Sequence, residues 1–231
     1  MRQISAILFL FMSFQALSST ILLEQTPIPD LLPTMYYIAD EAKTACEGRY
    51  NGNDFDGSEM TEILNPDNEV IASVCTRFYK VLCMEGTGIL DDRGQGRLTI
   101  NWAGDYKFKV VDKCQFGEGV NNNCLIPYHT IAADLEVYPV GTIIYIPRAV
   151  GLKLPNGKVH NDNFIVRDTG AAFRDVGPSR VDLFVGIEND NDNIFSRVGM
   201  NHQTNEKAFK LEGKRKSAAI QYFKDNYPEL Y

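Results

Sequence analysis

Between Glu69 and Ile187 the chain advances in short β-rich runs, each cut off by glycine, proline or asparagine. The candidate strands are 69–75, 77–83, 106–111, 130–133, 142–147, 163–167 and 180–185. No long amphipathic helix separates them in this reading, so consecutive strands lack the crossover that a parallel βαβ sheet requires. A small barrel or sandwich satisfies the pattern. With 231 residues, 44% of them apolar and 23% charged, the chain is long and apolar enough for one such domain with extensions, and unlike a disordered polypeptide. Its 30 acidic against 23 basic residues leave no basic excess for nucleic acid.

The flanks read differently. Met1-Arg2-Gln3, the apolar run Ile4 to Met12 and the small residues Ala16-Leu17-Ser18 make residues 1–18 a signal peptide, cleaved before Ser19. The run is too short to span a bilayer and no cysteine follows it as a lipid anchor, so no stable membrane insertion is expected after cleavage. The expected location is periplasmic or secreted. Residues 19–66 form an N-terminal extension, broken by Pro27, Pro29 and Pro33, with Leu32, Met35, Tyr36 and Ala39 at near-helical spacing. Residues 67–190 form the β domain. Residues 191–231 form a C-terminal extension whose helix, around 214–226, turns Ala218, Ile220, Tyr222 and Phe223 inward.

Cys46, Cys75, Cys83, Cys114 and Cys124 provide up to two disulfides and one spare thiol in an oxidising compartment. Cys114 and Cys124 bracket a loop that a bridge would staple. Cys75 has a partner nearby in Cys83 or elsewhere. No zinc spacing is present, and no histidine stands in a recognisable relation to a cysteine nucleophile. The Asp54–Asp56 turn lacks a first calcium ligand at Gly52 and a twelfth-position glutamate, where Ile63 stands. No metal or cofactor is implied.

Three aspartates end or interrupt apolar runs: Asp134 after Thr130 to Ala133, Asp168 after Phe164 to Arg167, and Asp182 within Arg180 to Phe184. Aspartate is a poor strand residue, and a desolvated carboxylate needs partners or a raised pKa. As structural residues the three would simply form turns. The segments His129 to Asp134 with Tyr138 to Ile146, Arg167 to Ala172, and Arg180 to Gly186 resemble, in order, the three blocks of the 3D domain. That domain is named for its aspartates and occurs in membrane-bound lytic transglycosylase A and in small bacterial transglycosylases. Met84 to Leu90 resembles the glycine-rich strand pair of the same enzymes, so the likeness covers roughly 75–187.

The resemblance implies a mainly β fold, a six-stranded double-psi β-barrel with short helical extensions at both ends. It implies a peptidoglycan lytic transglycosylase acting on glycan strands, with Asp182 as the catalytic acid and Asp134 and Asp168 shaping its protonation. Glu85, Thr87, Thr169 and Gly170 are placed as substrate-binding residues, with Thr169-Gly170 a tight turn beside the sugar. Trp102 and Tyr106 are candidates to stack on sugar faces, or else core aromatics. Arg148, Lys153, Lys158 and His160 form a basic loop suited to stem-peptide carboxylates, or a solvated one. Two departures stand out: Ala171 where the family has a second glycine, and a longer 168–182 segment containing Asp175, read as a loop residue. Asp168-Thr169-Gly170-Ala171 also matches retroviral-type aspartic proteases, but these carry an apolar residue where Arg167 stands. A non-catalytic, expansin-like wall-binding protein is the alternative reading of the same barrel.

Overall fold

The computed structural model describes residues 24–188 and 191–228. The expected signal peptide lies outside them. In chain order the strands are β1 (Gln25–Tyr36), β2 (Ala39–Asp40), β3 (Glu47–Tyr50), β4 (Asn53–Asp56), β5 (Met60–Leu64) and β6 (Val70–Cys75). Helix α1 (Thr76–Glu85) follows, then β7 (Thr87–Leu90), β8 (Leu98–Gly104), β9 (Lys107–Val110) and β10 (Thr130–Ala133). The chain continues through β11 (Ile143–Tyr145), β12 (Asn163–Asp168), β13 (Arg180–Phe184) and β14 (Glu206–Leu211) to helix α2 (Gly213–Asn226).

Six strands close into a barrel in the order β1-β13-β10-β12-β11-β14, with β14 pairing back onto β1. The β1–β13 and β10–β12 pairs are parallel and the other four antiparallel. Leu31, Ile131, Ile144, Phe164, Val166, Val181 and Leu183 fill one shared core. This corrects the boundaries drawn from sequence. The barrel is not contained in 67–190, because β1 and β14, from the two supposed extensions, are needed to close the ring. The helical spacing of Leu32 to Ala39 also gives way to strand. β1 pairs on both edges, and its burial follows barrel and inter-lobe contacts instead of one helical face. Pro29 falls at a register shift between Ile28 and Leu31, while Pro27 and Pro33 keep register with Phe209 and Val181.

The second lobe is a sheet of order β2-β7-β8-β9-β5-β6, with β3 and β4 as a separate hairpin. Helix α1 replaces the strand expected at 77–83. Phe78, Val81 and Leu82 recur at helical spacing and pack on Ile63, Val74, Ile100 and Phe108. Gly86 ends the helix in the left-handed region at φ 78°, its N–H returning to the Leu82 carbonyl. Disulfides join Cys46 to Cys75 and Cys114 to Cys124, leaving Cys83 as a thiol. The stapled loop ties the lobes together. The Asn101 side chain bonds the Glu118 backbone on one side, while Gly119 lies so close to the Arg167 carbonyl that a Cβ would sit 2.2 Å from it.

Helix α2 forms as the sequence predicts. Phe223 and Ala219 pack on Ile143, Ile165 and Leu211, and Ala218, expected inward, is exposed. No helix among the described residues is long and apolar enough to cross a membrane.

Candidate active site

Strand β10 lies between β12 and β13, and this sets the site. Ala132 is in register with Asp168 on one side and Asp182 on the other. Asp182 is also the register partner of Thr34 on β1. The barrel thus brings two carboxylates, fourteen positions apart in sequence, to one level of neighbouring strands.

Both are partly buried, and burial raises both pKa values to about 6. For Asp168 the rise is opposed by the Thr169 N–H, 2.9 Å from Oδ1, and by the Tyr36 hydroxyl. For Asp182 the nearby Arg180 lowers it and the Asp168 charge raises it. Oδ1 of Asp182 is buried without a hydrogen bond. Desolvation and a like charge both favour a protonated carboxyl, the state required of a general acid near neutrality.

Tyr36 at the end of β1 completes the cluster. Its buried hydroxyl points toward Asp168 without closing a regular hydrogen bond and lies in the field of Asp182 and Glu85. Burial first, then these three carboxylates, push its pKa well above that of a free phenol, so it stays protonated. The ring packs on Phe184 at 5.0 Å. Glu85, the last residue of α1, reaches the same place from the second lobe, its Oε2 accepting the Tyr37 N–H at 3.1 Å.

The remaining predicted residues divide. Asp134 caps a turn: Oδ1 accepts the Glu136 N–H at 3.0 Å and its carbonyl accepts from Val137 and Tyr138. Thr169 borders the site, its hydroxyl donating to the Ala133 carbonyl at 2.8 Å. Gly170 is extended at φ −162°, not a tight turn, and a Cβ there would only touch Phe173 at 3.6 Å. Thr87 is buried, with Gly117 packed directly on it, and is not part of the cluster. The longer 169–179 loop is largely exposed beside the acids and pinned by buried Phe173. Asp175 stands exposed in that loop.

The basic loop does not assemble. Arg148 pairs with Glu206 at 2.9 Å, and His160 is 2% exposed. A groove of about 540 Å³, lined by Phe116, Tyr128, Val185 and Tyr227, includes none of the three aspartates. No cluster of three potential metal ligands occurs among the described residues. Sequence reasoning missed Tyr36, because it falls in a stretch read as an appended helix.

Residues 129–211 match the 3D domain family. They carry a 3D domain. Asp134, Asp168 and Asp182 all lie inside this 3D domain, whereas Tyr36 and Glu85 come to it from outside. Most of the fold is similar to that of MltA from Escherichia coli, solved with bound chitohexaose. That likeness has 13% identity and a TM-score of 0.51, over 81% of this chain and 73% of the other. It is equally similar to a membrane-bound lytic murein transglycosylase from Agrobacterium tumefaciens, at 15% identity and a TM-score of 0.50, over 86% of this chain and 78% of the other. No curated protein sequence matches the chain significantly.

Proposed function

We propose that the protein is an exported peptidoglycan lytic transglycosylase built on a double-psi barrel. The observation that carries this reading is the coupled pair Asp168 and Asp182, both raised to about 6, on either side of Ala132 in the 3D domain. The two parallel strand pairs within an otherwise antiparallel ring support the double-psi topology. The fold shared with an enzyme that holds chitohexaose supports a glycan in the cleft.

In this mechanism the Asp182 carboxyl donates its proton to the oxygen between N-acetylmuramic acid and N-acetylglucosamine, and the C1–O bond breaks. The carboxylate left behind takes the proton of the muramic C6 hydroxyl as that oxygen bonds C1, closing a 1,6-anhydro ring and restoring the acid. A nucleophile within the same sugar has a very high effective concentration, so one acid suffices where hydrolytic glycosidases need two. Burial, with the Asp168 charge added to it, keeps Asp182 protonated, and the Tyr36 hydroxyl favours the charged form of Asp168. Asp134 acts at a distance by holding the turn after β10.

Mass spectrometry of purified sacculi digested by the protein tests this, with Asp182→Ala as control. The expected result is soluble muropeptides with 1,6-anhydro ends, reduced about 100-fold or more in the variant. Reducing ends would make the enzyme a hydrolase, and binding without release would favour the expansin-like alternative.

A further inference from the structure

We propose that Trp102 and Tyr106 form a stacking platform on the second lobe that binds a pyranose ring of a glycan strand, beside the sheet end from which Glu85 approaches the carboxylate site. This rests on the glycan reading of that site.

The β8–β9 hairpin delivers both rings to the end of the sheet where Glu85 enters the site. Thr87 opposes Asn101, so Gly86 stands opposite Trp102, and the Trp102 N–H donates to the Gly86 carbonyl at 2.7 Å. A Cβ on Gly86 would lie 3.9 Å from that of Trp102. The order β2-β7-β8 therefore sets Trp102 two strands from Tyr37, roughly 10 Å, with Glu85 and Gly86 between them.

The rings are held and presented. Trp102 meets the fully buried Phe108 edge-on at 5.5 Å yet remains 38% exposed, and Tyr106 is 66% exposed. The two stand 5.3 Å apart at 71°. The turn carrying them runs through three consecutive left-handed residues, Gly104, Asp105 and Tyr106, at φ 96°, 47° and 57°. Left-handed backbone is costly for an aromatic residue, and so exposed a ring gains little core packing in return. The tight β8–β9 turn requires this positive-φ backbone, and it holds the Tyr106 ring out in solvent. The neighbouring Asp105 and Lys107 give the platform a polar rim. Apolar ring faces with a polar rim match a pyranose, which offers C–H bonds on its faces and hydroxyls at its edge.

Trp102 is the chain's one tryptophan, so its emission reports this surface alone. Chitohexaose is titrated into the Asp182→Asn protein, which binds without cleaving, while emission and heat are followed together. The expected result is a saturable emission change with the midpoint seen by calorimetry. Tyr106→Ala should weaken binding by between about 2-fold and 10-fold, and Tyr106→Phe should restore it. Thermal unfolding of each variant separates loss of stacking from loss of fold. Heat of binding with silent emission and an unchanged affinity in Tyr106→Ala would overturn the platform and leave the glycan reading standing. Absence of both heat and emission change, together with intact sacculi after incubation with the unsubstituted protein, would overturn both.

Discussion

Strand β10 has a buried titratable cluster at each end, and the two behave oppositely. Asp168 and Asp182 flank its Ala132, while His129 immediately precedes it, stacked on His160 at 4.4 Å. Each cluster holds a buried atom without a hydrogen bond, Oδ1 of Asp182 and Nε2 of His129. Burial drives each group toward its neutral form. For the histidines that means pKa values pushed down to about 4 and about 3. For the aspartates it means about 6. The histidines are sealed by Phe223 and Tyr227, 5.4 and 5.6 Å from His129, and their tautomers are set by the Asn163 and Tyr128 carbonyls. They are uncharged core groups at any working pH. The aspartates lie beside an exposed loop and exchange protons where enzymes operate. A perturbed pKa thus marks chemistry only where access and titration range coincide.

The same contrast governs stability. A histidine with a lowered folded pKa contributes stability that is present above the unfolded value of 6.5 and lost as pH falls through the folded one. An aspartate with a raised folded pKa contributes stability that is present below 3.8 and lost as pH rises through about 6. Between about pH 4 and pH 6 the two clusters therefore oppose each other, with Asp162, also raised to about 6 by burial, on the aspartates' side. The largest expected effect comes from removing one side. An Asp168→Asn, Asp182→Asn protein should lose stability more steeply than the unsubstituted chain on going from pH 6 to pH 4, by up to about 1.4 kcal/mol per pH unit for each aspartate replaced. His160→Gln, which can still meet the Tyr128 carbonyl and the Asp162 N–H, should tilt the curve the other way by up to about 1.4 kcal/mol per pH unit. Denaturant unfolding at several pH values measures both slopes, and parallel curves for all three proteins would dissolve the comparison.

Within the carboxylate cluster the next effect is on the rate profile. The acid must be protonated, so kcat/KM should fall as pH rises through about 6. Asp168→Asn removes the charge that adds to burial in raising Asp182, and the alkaline limb should move to lower pH by roughly half a unit to one unit, with turnover reduced. An unmoved limb would mean that burial alone holds the proton on Asp182.

The two clusters also differed in how far the sequence exposed them. Asp168 and Asp182 were legible because aspartate is out of place in a strand and because the flanking blocks are specific. Helix α2 and the Cys114–Cys124 staple were legible because their signals are local. His129 and His160, which stack, are 31 residues apart, and nothing near either histidine announces the contact. Helix α1 was hidden by its own composition, since Phe78, Tyr79 and Val81 favour strands and only their spacing betrays a helix. The role of β1 was hidden by its prolines, and with it the one strand that delivers Tyr36.

Tyr36 supplies the smallest and most discriminating effect. Its hydroxyl lowers the pKa of Asp168, so Tyr36→Phe should let Asp168 protonate more readily and weaken its field at Asp182. The alkaline limb should then shift in the same direction as in Asp168→Asn, but by only a few tenths of a unit, with turnover down a few-fold. Phenylalanine preserves the contact with Phe184, so the thermal midpoint should change little. A purely packing role predicts the reverse, an unchanged pH profile in a protein whose ring contact is intact. A profile that moves while stability holds would show that the phenol acts through Asp168, and that β1, read from sequence as an appendage, belongs to the reaction centre.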